Sequence, residues 1–328
     1  MKIRQLLPDW LKGISILLMI YGHINHVGSL NVFQKQLVGI IYTFHMPLFL
    51  IISGFFFYVS NNAHETGKKI ISRLIRPYLI FISIYLLGLS LIQNTGILTL
   101  SAPPKSFHNF LEIVFFHPIG AYWFLHSLIL IQMSLIFATI ITRWSMLDES
   151  ITLIIALFLL AFICHYNFIQ IRAIFYFFFG LTINRINTKL PSSIKIGFLL
   201  MAIIILFSHE DIYLFSLLQV VWVSAIMIFL LGLGHFLEKT FLVTQFAYFG
   251  RNSVIVLLLH AMFINLLKPL SNSILYIDET GLLYSFIVLF ITLYGCILTA
   301  LFFDNVGASS YLFGIKSIYS RFKTNDTI

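Results

Sequence analysis

The sequence of 328 residues is 59% hydrophobic and only 10% charged, with a formal net charge of +8 and a mean hydropathy of +0.97. Soluble globular chains carry roughly 25% charged residues, so a chain this poor in charge cannot cover a water-facing surface. The composition excludes a soluble protein, and the positive charge is better explained by basic cytoplasmic loops than by binding of nucleic acid.

Ten long apolar segments follow one another along the chain. They are continuous, whereas β-barrel strands alternate apolar and polar residues, and a membrane-spanning helix needs about 20 apolar residues. The segments lie at residues 10–28, 37–60, 74–93, 121–141, 151–165, 168–184, 194–208, 212–234, 248–267 and 282–303. We therefore expect an all-α, polytopic transmembrane helical bundle of about ten spans. It forms a single domain over residues 1–328, with no fused soluble domain and no removed signal peptide.

The connections carry weaker signals. The longest, at about residues 94–120, is expected to contain a short helix around Phe110 and Val114, and Val306–Ser320 is expected to form an interfacial helix. Cys164 and Cys296 lie in apolar segments, so neither a disulfide framework nor a cysteine metal site is expected.

The distribution of basic residues predicts the orientation. With ten spans and a cytoplasmic N-terminus, 16 of the 20 lysines and arginines fall on the cytoplasmic side. The other four are Lys35, Lys105, Arg172 and Lys268. Since cytoplasmic loops are enriched in Lys and Arg, we expect both termini in the cytoplasm.

The first apolar segment and the residue directly before it carry three polar residues at helical spacing. Lys12 precedes His23 by eleven residues, about three helical turns, and Asp9 lies one turn before Lys12. Ionisable residues at membrane depth are costly and often functional, and an imidazole can accept a proton near neutral pH. A histidine that only hydrogen-bonds between helices is the alternative, and the pattern favours neither interpretation.

Other polar residues interrupt the later segments. Arg73 and Arg76, at i and i+3, would share a helix face and suit phosphate groups, although anchoring at the cytoplasmic surface explains an isolated pair better. Ser53 and Gly54 are expected to allow close helix packing. The remaining candidates, whose roles the pattern leaves open, are His45, Trp123, His126 and His260.

Six ordered motifs together resemble the acyltransferase 3 family of membrane O-acyltransferases, closest to its fucose 4-O-acetylase-like and polysaccharide O-acetyltransferase branch. They are Asp9-Trp-Leu-Lys12-Gly13 with Gly22-His23, the basic-x10-His spacing of Lys12 and His23, Phe44-His45-Met46-Pro47-Leu48-Phe49 with Ser53-Gly54, Arg73-x-x-Arg76-Pro, Tyr122-Trp123-Phe124-Leu125, and Asn252-Ser253 with His260. One departure is His126, which stands where the family pattern has a small residue or proline.

The resemblance implies that His23 is the catalytic histidine, with Asp9 and Lys12 beside it in the catalytic group. Lys12 stands where many relatives have arginine. Arg73 and Arg76 would bind acyl-CoA, while His45, Trp123, His126 and His260 would line the site. The expected donor is acetyl-CoA, used as a substrate, with no bound cofactor and no metal.

The expected partners are acyl-CoA, a glycan or lipid-linked saccharide acceptor and membrane lipid, in a bacterial cytoplasmic (inner) membrane; nucleic acid is not expected. His23 would act either as a general base on a sugar hydroxyl or as a transient acyl carrier. A transporter or flippase of a lipid-linked sugar is the alternative function, although the inverted repeat typical of transporters is missing. A structural scaffold for polysaccharide assembly is a third.

Overall fold

The computed structural model describes residues 6–60, 62–93, 101–146, 148–186, 190–208 and 210–319, and within these ranges every regular element is a helix. The first half contains α1 (Leu6–His23), α2 (Asn31–Tyr42), α3 (His45–Phe56), α4 (Ala63–Ile70), a π-helix (Ile71–Ile75), α5 (Arg76–Ile92), α6 (Phe107–Phe115), α7 (Tyr122–Trp144) and α8 (Glu149–His165). The second half contains α9 (Ile171–Arg185), α10 (Ile194–Ser208), α11 (Leu217–Phe236), α12 (Phe241–Arg251), α13 (Ser253–Leu267), α14 (Ser271–Leu275), α15 (Leu282–Asn305) and α16 (Ala308–Phe313). The expected all-helical fold is confirmed for these residues.

Within the described residues, six helical segments are long and apolar enough to cross a membrane. They are Asn31–Phe56, Ala63–Ile92, Tyr122–Trp144, Leu217–Phe236, Ser253–Leu275 and Leu282–Asn305. Two shorter apolar helices lie at Ile151–His165 and Ile194–Phe207. The chain is thus a multi-pass helical protein, while the count of ten spans and the cytoplasmic termini stay predictions.

Helix α1 occupies the centre of the bundle, packed against α2, α3, α11, α12, α13 and α15. Its apolar side chains Leu11, Ile16 and Ile20 have no exposed surface. Glycine allows the closest of these contacts, because a Cβ on Gly13 would lie 1.8 Å from the Phe246 carbonyl oxygen of α12. The helix that carries Asp9, Lys12 and His23 is therefore enclosed by neighbours.

The second apolar segment is broken in its middle. The sequence predicted one run over residues 37–60, but α2 ends at Tyr42 and α3 begins at His45. The Thr43 hydroxyl donates to the Ile40 carbonyl at 2.6 Å and accepts the indole N–H of Trp222 from α11 at 2.8 Å. Irregular backbone at membrane depth needs such partners, so α11 stabilises the break.

The two smaller predicted helices are also observed. Helix α6 confirms the short helix expected near Phe110, although residues 94–100 of the same connection lie outside the described residues. Helix α16 spans only six residues of the predicted Val306–Ser320 helix, whose last residue lies outside them as well.

The chain after α15, which we call the C-terminal strap (residues 306–319), folds back onto the bundle. The Asp304 carboxylate accepts hydrogen bonds from the Ser317 hydroxyl and from the N–H groups of Ile318 and Tyr319, at 2.7 to 3.0 Å. The Tyr319 hydroxyl in turn accepts from Tyr248 of α12 at 2.9 Å. The strap is thereby held against the ends of α12 and α15.

The connection that follows His23 packs on the connection before α15. The Ser29 N–H donates to the Glu279 carbonyl at 2.8 Å. Beside it, the Thr280 hydroxyl and N–H and the Leu283 N–H bind the Asp278 carboxylate and hold its pKa below the usual range. These contacts fix the end of α1 at which His23 lies.

Candidate functional site

His23 is the last residue of α1, at the point where this helix meets α2, α3 and α13. Its side chain is partly exposed. The His260 ring of α13 lies 5.4 Å from the His23 ring, and the Tyr42 ring lies 6.3 Å from it, measured between centroids. The predicted catalytic histidine therefore sits in a group of aromatic and imidazole rings contributed by separate helices.

The break between α2 and α3 places both Tyr42 and His45 in this group. Tyr42 and His45 stack with centroids 5.2 Å apart, and the Tyr42 hydroxyl donates to the Gly22 carbonyl at 2.7 Å, next to His23. His45 is 4% exposed, and its Nδ1 lies 2.8 Å from the Ile41 carbonyl oxygen. Since a carbonyl oxygen only accepts, the proton of neutral His45 is on Nδ1, which leaves Nε2 with a free lone pair.

His260 repeats this arrangement on α13. Its side chain has no exposed surface, and Nδ1 lies 2.7 Å from the Val256 carbonyl oxygen four residues earlier. The same argument places the proton on Nδ1. Nε2 is buried and has no hydrogen-bond partner among the described residues. We call His23, Tyr42, His45 and His260 the histidine cluster.

Asp9 lies one helical turn before Lys12, as the sequence predicted, but it is engaged by another helix. Its carboxylate and the Arg251 guanidinium at the end of α12 form an ion pair of 3.1 Å, with side chains 6% and 2% exposed. A buried charge needs such a partner. The observed role of Asp9 is to join α1 to α12, and the predicted catalytic role stays a prediction.

Lys12 lies between Asp9 and the histidine cluster on α1. Its ammonium group stands over the Phe56 ring at the end of α3, 5.4 Å from the ring centroid, and its side chain is partly buried. This distance is typical of a cation–π contact. Lys12 is thus a cation inside the bundle, nearer to the N-terminus of α1 than His23.

Arg73 and Arg76 are exposed, and a π-helix modifies their predicted geometry. Arg73 lies within the π-helix and Arg76 begins α5, so the wider π-turn rotates the two side chains apart relative to an α-helix. The Arg76 guanidinium donates to the Tyr311 carbonyl of the C-terminal strap at 2.8 Å. π-Helical turns often occur at functional sites.

Trp123 and His126 both lie on α7. The Trp123 ring meets Phe124 edge-on at 6.1 Å. The His126 Nε2 donates to the Phe115 carbonyl at 2.9 Å, which ties α7 to α6. The observed contact of His126, the residue that departs from the family pattern, is therefore structural, and its site-lining role stays a prediction.

Two residues of this region were not singled out from the sequence. Tyr42 precedes His45 by three residues, but only the helix break turns both rings toward His23. Arg251 directly precedes the Asn252-Ser253 motif, and its position there was the available signal. Among the described residues, no group of three or more His, Cys, Asp or Glu side chains has a metal-binding arrangement.

The sequence matches a known protein family over most of its length. The acyltransferase 3 family, described as an acyltransferase domain, matches residues 7–301, which include every candidate site residue from Asp9 to His260. Among curated proteins and solved structures no match is found. Because the family match covers most of the sequence, the chain belongs to the acyltransferase 3 family of integral membrane acyltransferases.

Proposed function

We propose that this chain transfers an acyl group, most simply acetyl, from acyl-CoA to a hydroxyl of a cell-surface glycan or its lipid-linked precursor. The observation that carries the proposal is the histidine cluster, in which His45 and His260 are each held by a hydrogen bond from Nδ1 to a backbone carbonyl, and the His260 ring lies beside His23. Membership of an acyltransferase family supports the reaction class. The saccharide acceptor rests on the sequence resemblance to the polysaccharide O-acetyltransferase branch.

In this proposal His23 is the general base. It takes the proton of the acceptor hydroxyl while the oxygen attacks the thioester carbonyl carbon. The C–S bond then breaks, and the thiolate of CoA recovers the proton from His23. A thioester is activated enough for proximity and a positioned base to supply the catalysis.

The donor would reach His23 from the side of Arg73 and Arg76. Both guanidinium groups are exposed and suit the phosphates of CoA. Lys12 lies on α1 between the α1 N-terminus and His23, about 16 Å before His23 at 1.5 Å per residue. A flexible pantetheine arm can cover this distance, with Lys12 near the thioester or the phosphate end.

The proposed location is the bacterial cytoplasmic membrane, with ten spans, both termini in the cytoplasm and the donor on the cytoplasmic side. The biased distribution of lysine and arginine supports this orientation. The Arg143 guanidinium at the end of α7 donates to the Ser60 carbonyl after α3 at 3.2 Å, so these two ends lie on one side of the bundle, as the orientation requires.

The His23→Ala variant tests the base. We expect transfer of radiolabelled acetyl from acetyl-CoA to the glycan fraction of the producing membranes to fall by about a hundredfold or more, the range for removal of a general base. His165→Ala is the matched control, because His165 also ends a helix but is exposed. Full transfer by His23→Ala would falsify the proposed role. Transport of a lipid-linked sugar without consumption of acetyl-CoA would favour the transporter alternative.

The Arg73→Gln and Arg76→Gln variants test the donor site. We expect each to raise the acetyl-CoA concentration for half-maximal rate by about tenfold, because a charge-assisted hydrogen bond to phosphate is lost. Lys69→Gln on α4 removes an exposed cation outside the motif and should leave that concentration unchanged. Equal behaviour of all three variants would show that only the overall positive surface matters.

A further inference from the structure

One polar atom of His260 has no partner among the residues that the structure describes. The side chain has no exposed surface, Nδ1 donates to the Val256 carbonyl, and Nε2 is buried without a hydrogen bond to any of these residues. An unpaired buried polar atom is destabilising. Such an atom beside the proposed base calls for a hydrogen-bond donor.

The partner is available in His23. The centroids of the two rings are 5.4 Å apart, a separation at which one nitrogen of each ring can lie at about 3 Å, the distance of a hydrogen bond, when the two nitrogens face each other. In neutral His23 the nitrogen that does not serve as the base carries the N–H, and the lone pair of His260 Nε2 can accept it. Once the base nitrogen has taken a proton, His23 is charged and this hydrogen bond becomes charge-assisted and stronger.

We propose that His260 is the positioning residue for the protonated form of His23. The inference rests on the proposed function and assigns the partner of its base. The hydroxyl proton moves to one ring nitrogen of His23, the N–H on the other ring nitrogen donates to His260 Nε2, and the transferred proton leaves His23 for the CoA thiolate as the C–S bond breaks. His260 keeps its own Nδ1 proton on Val256 throughout, so its charge does not change.

This assignment gives His23 a neutral partner in place of a carboxylate. Asp9 is paired with Arg251 in a different part of α1. Within the described part of the chain, the rings of His260 from α13 and Tyr42 from α2 contact the His23 ring, and His45 of α3 stacks on Tyr42. Of these, His260 combines contact with the His23 ring and a buried, unpartnered acceptor.

Two substitutions distinguish the role of Nδ1 from the role of Nε2 in His260. In His260→Asn the shorter amide can still donate to the Val256 carbonyl, but it has no acceptor at the position of Nε2. In His260→Gln the longer amide can place its oxygen near that position. If only the contact with Val256 matters, Asn restores function, whereas the positioning role requires Gln.

The experiment measures transfer of radiolabelled acetyl from acetyl-CoA to membrane glycans as a function of acetyl-CoA concentration. For His260→Asn we expect the saturating rate to fall by about ten- to a hundredfold, the range for a hydrogen bond to a charged group, with an unchanged half-saturating concentration. His260→Gln should recover a substantial part of the rate. In a His23→Ala background, His260→Asn should cause no further loss, because His260 acts through His23.

The results distinguish a failure of the proposed function from a failure of the role of His260. A wild-type protein that transfers no acetyl overturns the proposed function. If the wild type is active, a fully active His260→Asn variant, or equal losses in the Asn and Gln variants, overturns the role of His260 alone. Thermal unfolding in detergent verifies that the variants fold. If His260→Asn does not fold, His260→Leu fills similar space without an acceptor, and the same loss of rate is expected.

Discussion

At the scale of single residues, the ion pair between Asp9 and Arg251 contributes to the stability of the central helix α1. Both side chains are almost completely buried, and their charged groups are 3.1 Å apart. Removing one partner of a buried pair is far more costly than replacing both, because the remaining charge has lost its neutralising group. The pair therefore constrains which substitutions α1 and α12 can accept.

The Asp9→Asn variant should be destabilised by about 3–5 kcal/mol, the range for removal of one member of a buried ion pair. The double variant Asp9→Leu with Arg251→Met should recover much of this loss, since neither side chain then carries a charge. Thermal unfolding of the purified proteins in detergent measures both. An Asp9→Asn variant as stable as the wild type would show that the pair contributes little.

The sequence predicts part of this site because α1 is one uninterrupted helix. The spacing of Asp9, Lys12 and His23 determines their relative positions without any knowledge of the neighbours. The grouping of His23 with His45 and His260 depends on how three separate segments pack, and spacing along one chain cannot predict that. The family resemblance named these residues, but it did not predict which nitrogen of His260 is free.

At the scale of helices, the crossing of α3 and α9 depends on a reciprocal pair of glycines. A Cβ on Gly54 would lie 1.9 Å from the Phe177 carbonyl oxygen, and a Cβ on Gly180 would lie 1.9 Å from the Ile51 carbonyl oxygen. Each glycine thus faces the backbone of the other helix. The expectation that Gly54 allows close packing is confirmed, and its partner Gly180 is identified by the structure.

The Gly180→Ala variant should force α3 and α9 apart and lower stability by about 1–3 kcal/mol, the usual cost of overpacking. Gly88→Ala in α5 is the matched control, because a Cβ there meets nothing within 4 Å. Since alanine favours helix more than glycine does, the control should be as stable as the wild type or more stable. Equal unfolding temperatures for the two variants would contradict the close crossing.

Helix interruptions were the least predictable elements. The apolar pattern continues through Thr43, yet α2 ends there because the Thr43 hydroxyl bonds the Ile40 carbonyl and Trp222 binds that hydroxyl from α11. The π-helix at Arg73 was likewise missed, because an i and i+3 pattern is the same in both helix types. Both interruptions occur beside candidate site residues, and neither has a signal in local propensity.

At the scale of the whole molecule, each of the ten predicted apolar segments overlaps at least one described helix. Hydrophobicity predicts these helices well because a bilayer requires internal backbone hydrogen bonding. It does not predict that α1, the helix that carries Asp9, Lys12 and His23, lies at the centre. That arrangement follows from the surrounding helices and from the close contact at Gly13.

Whether α8 crosses the membrane is a direct test of the predicted number of crossings. Helix α8 has 17 residues and is about 25 Å long at 1.5 Å per residue, close to the thickness of a bilayer core. If it crosses, the exposed residues Trp144 before it and Tyr166 after it lie on opposite sides.

The ten-span arrangement predicts that Tyr166→Cys reacts with a membrane-impermeant maleimide in intact spheroplasts, whereas Trp144→Cys reacts only after lysis. Tyr276→Cys, in the exposed connection before α15, serves as the outer reference. The two native cysteines, Cys164 and Cys296, are free and must first be replaced by serine so that each label reports one position. If Tyr276→Cys reacts outside but Tyr166→Cys stays protected until lysis, α8 does not cross, and the ten-span count is wrong. With one crossing fewer, the two chain ends would lie on opposite sides of the membrane unless one more segment also changed its assignment.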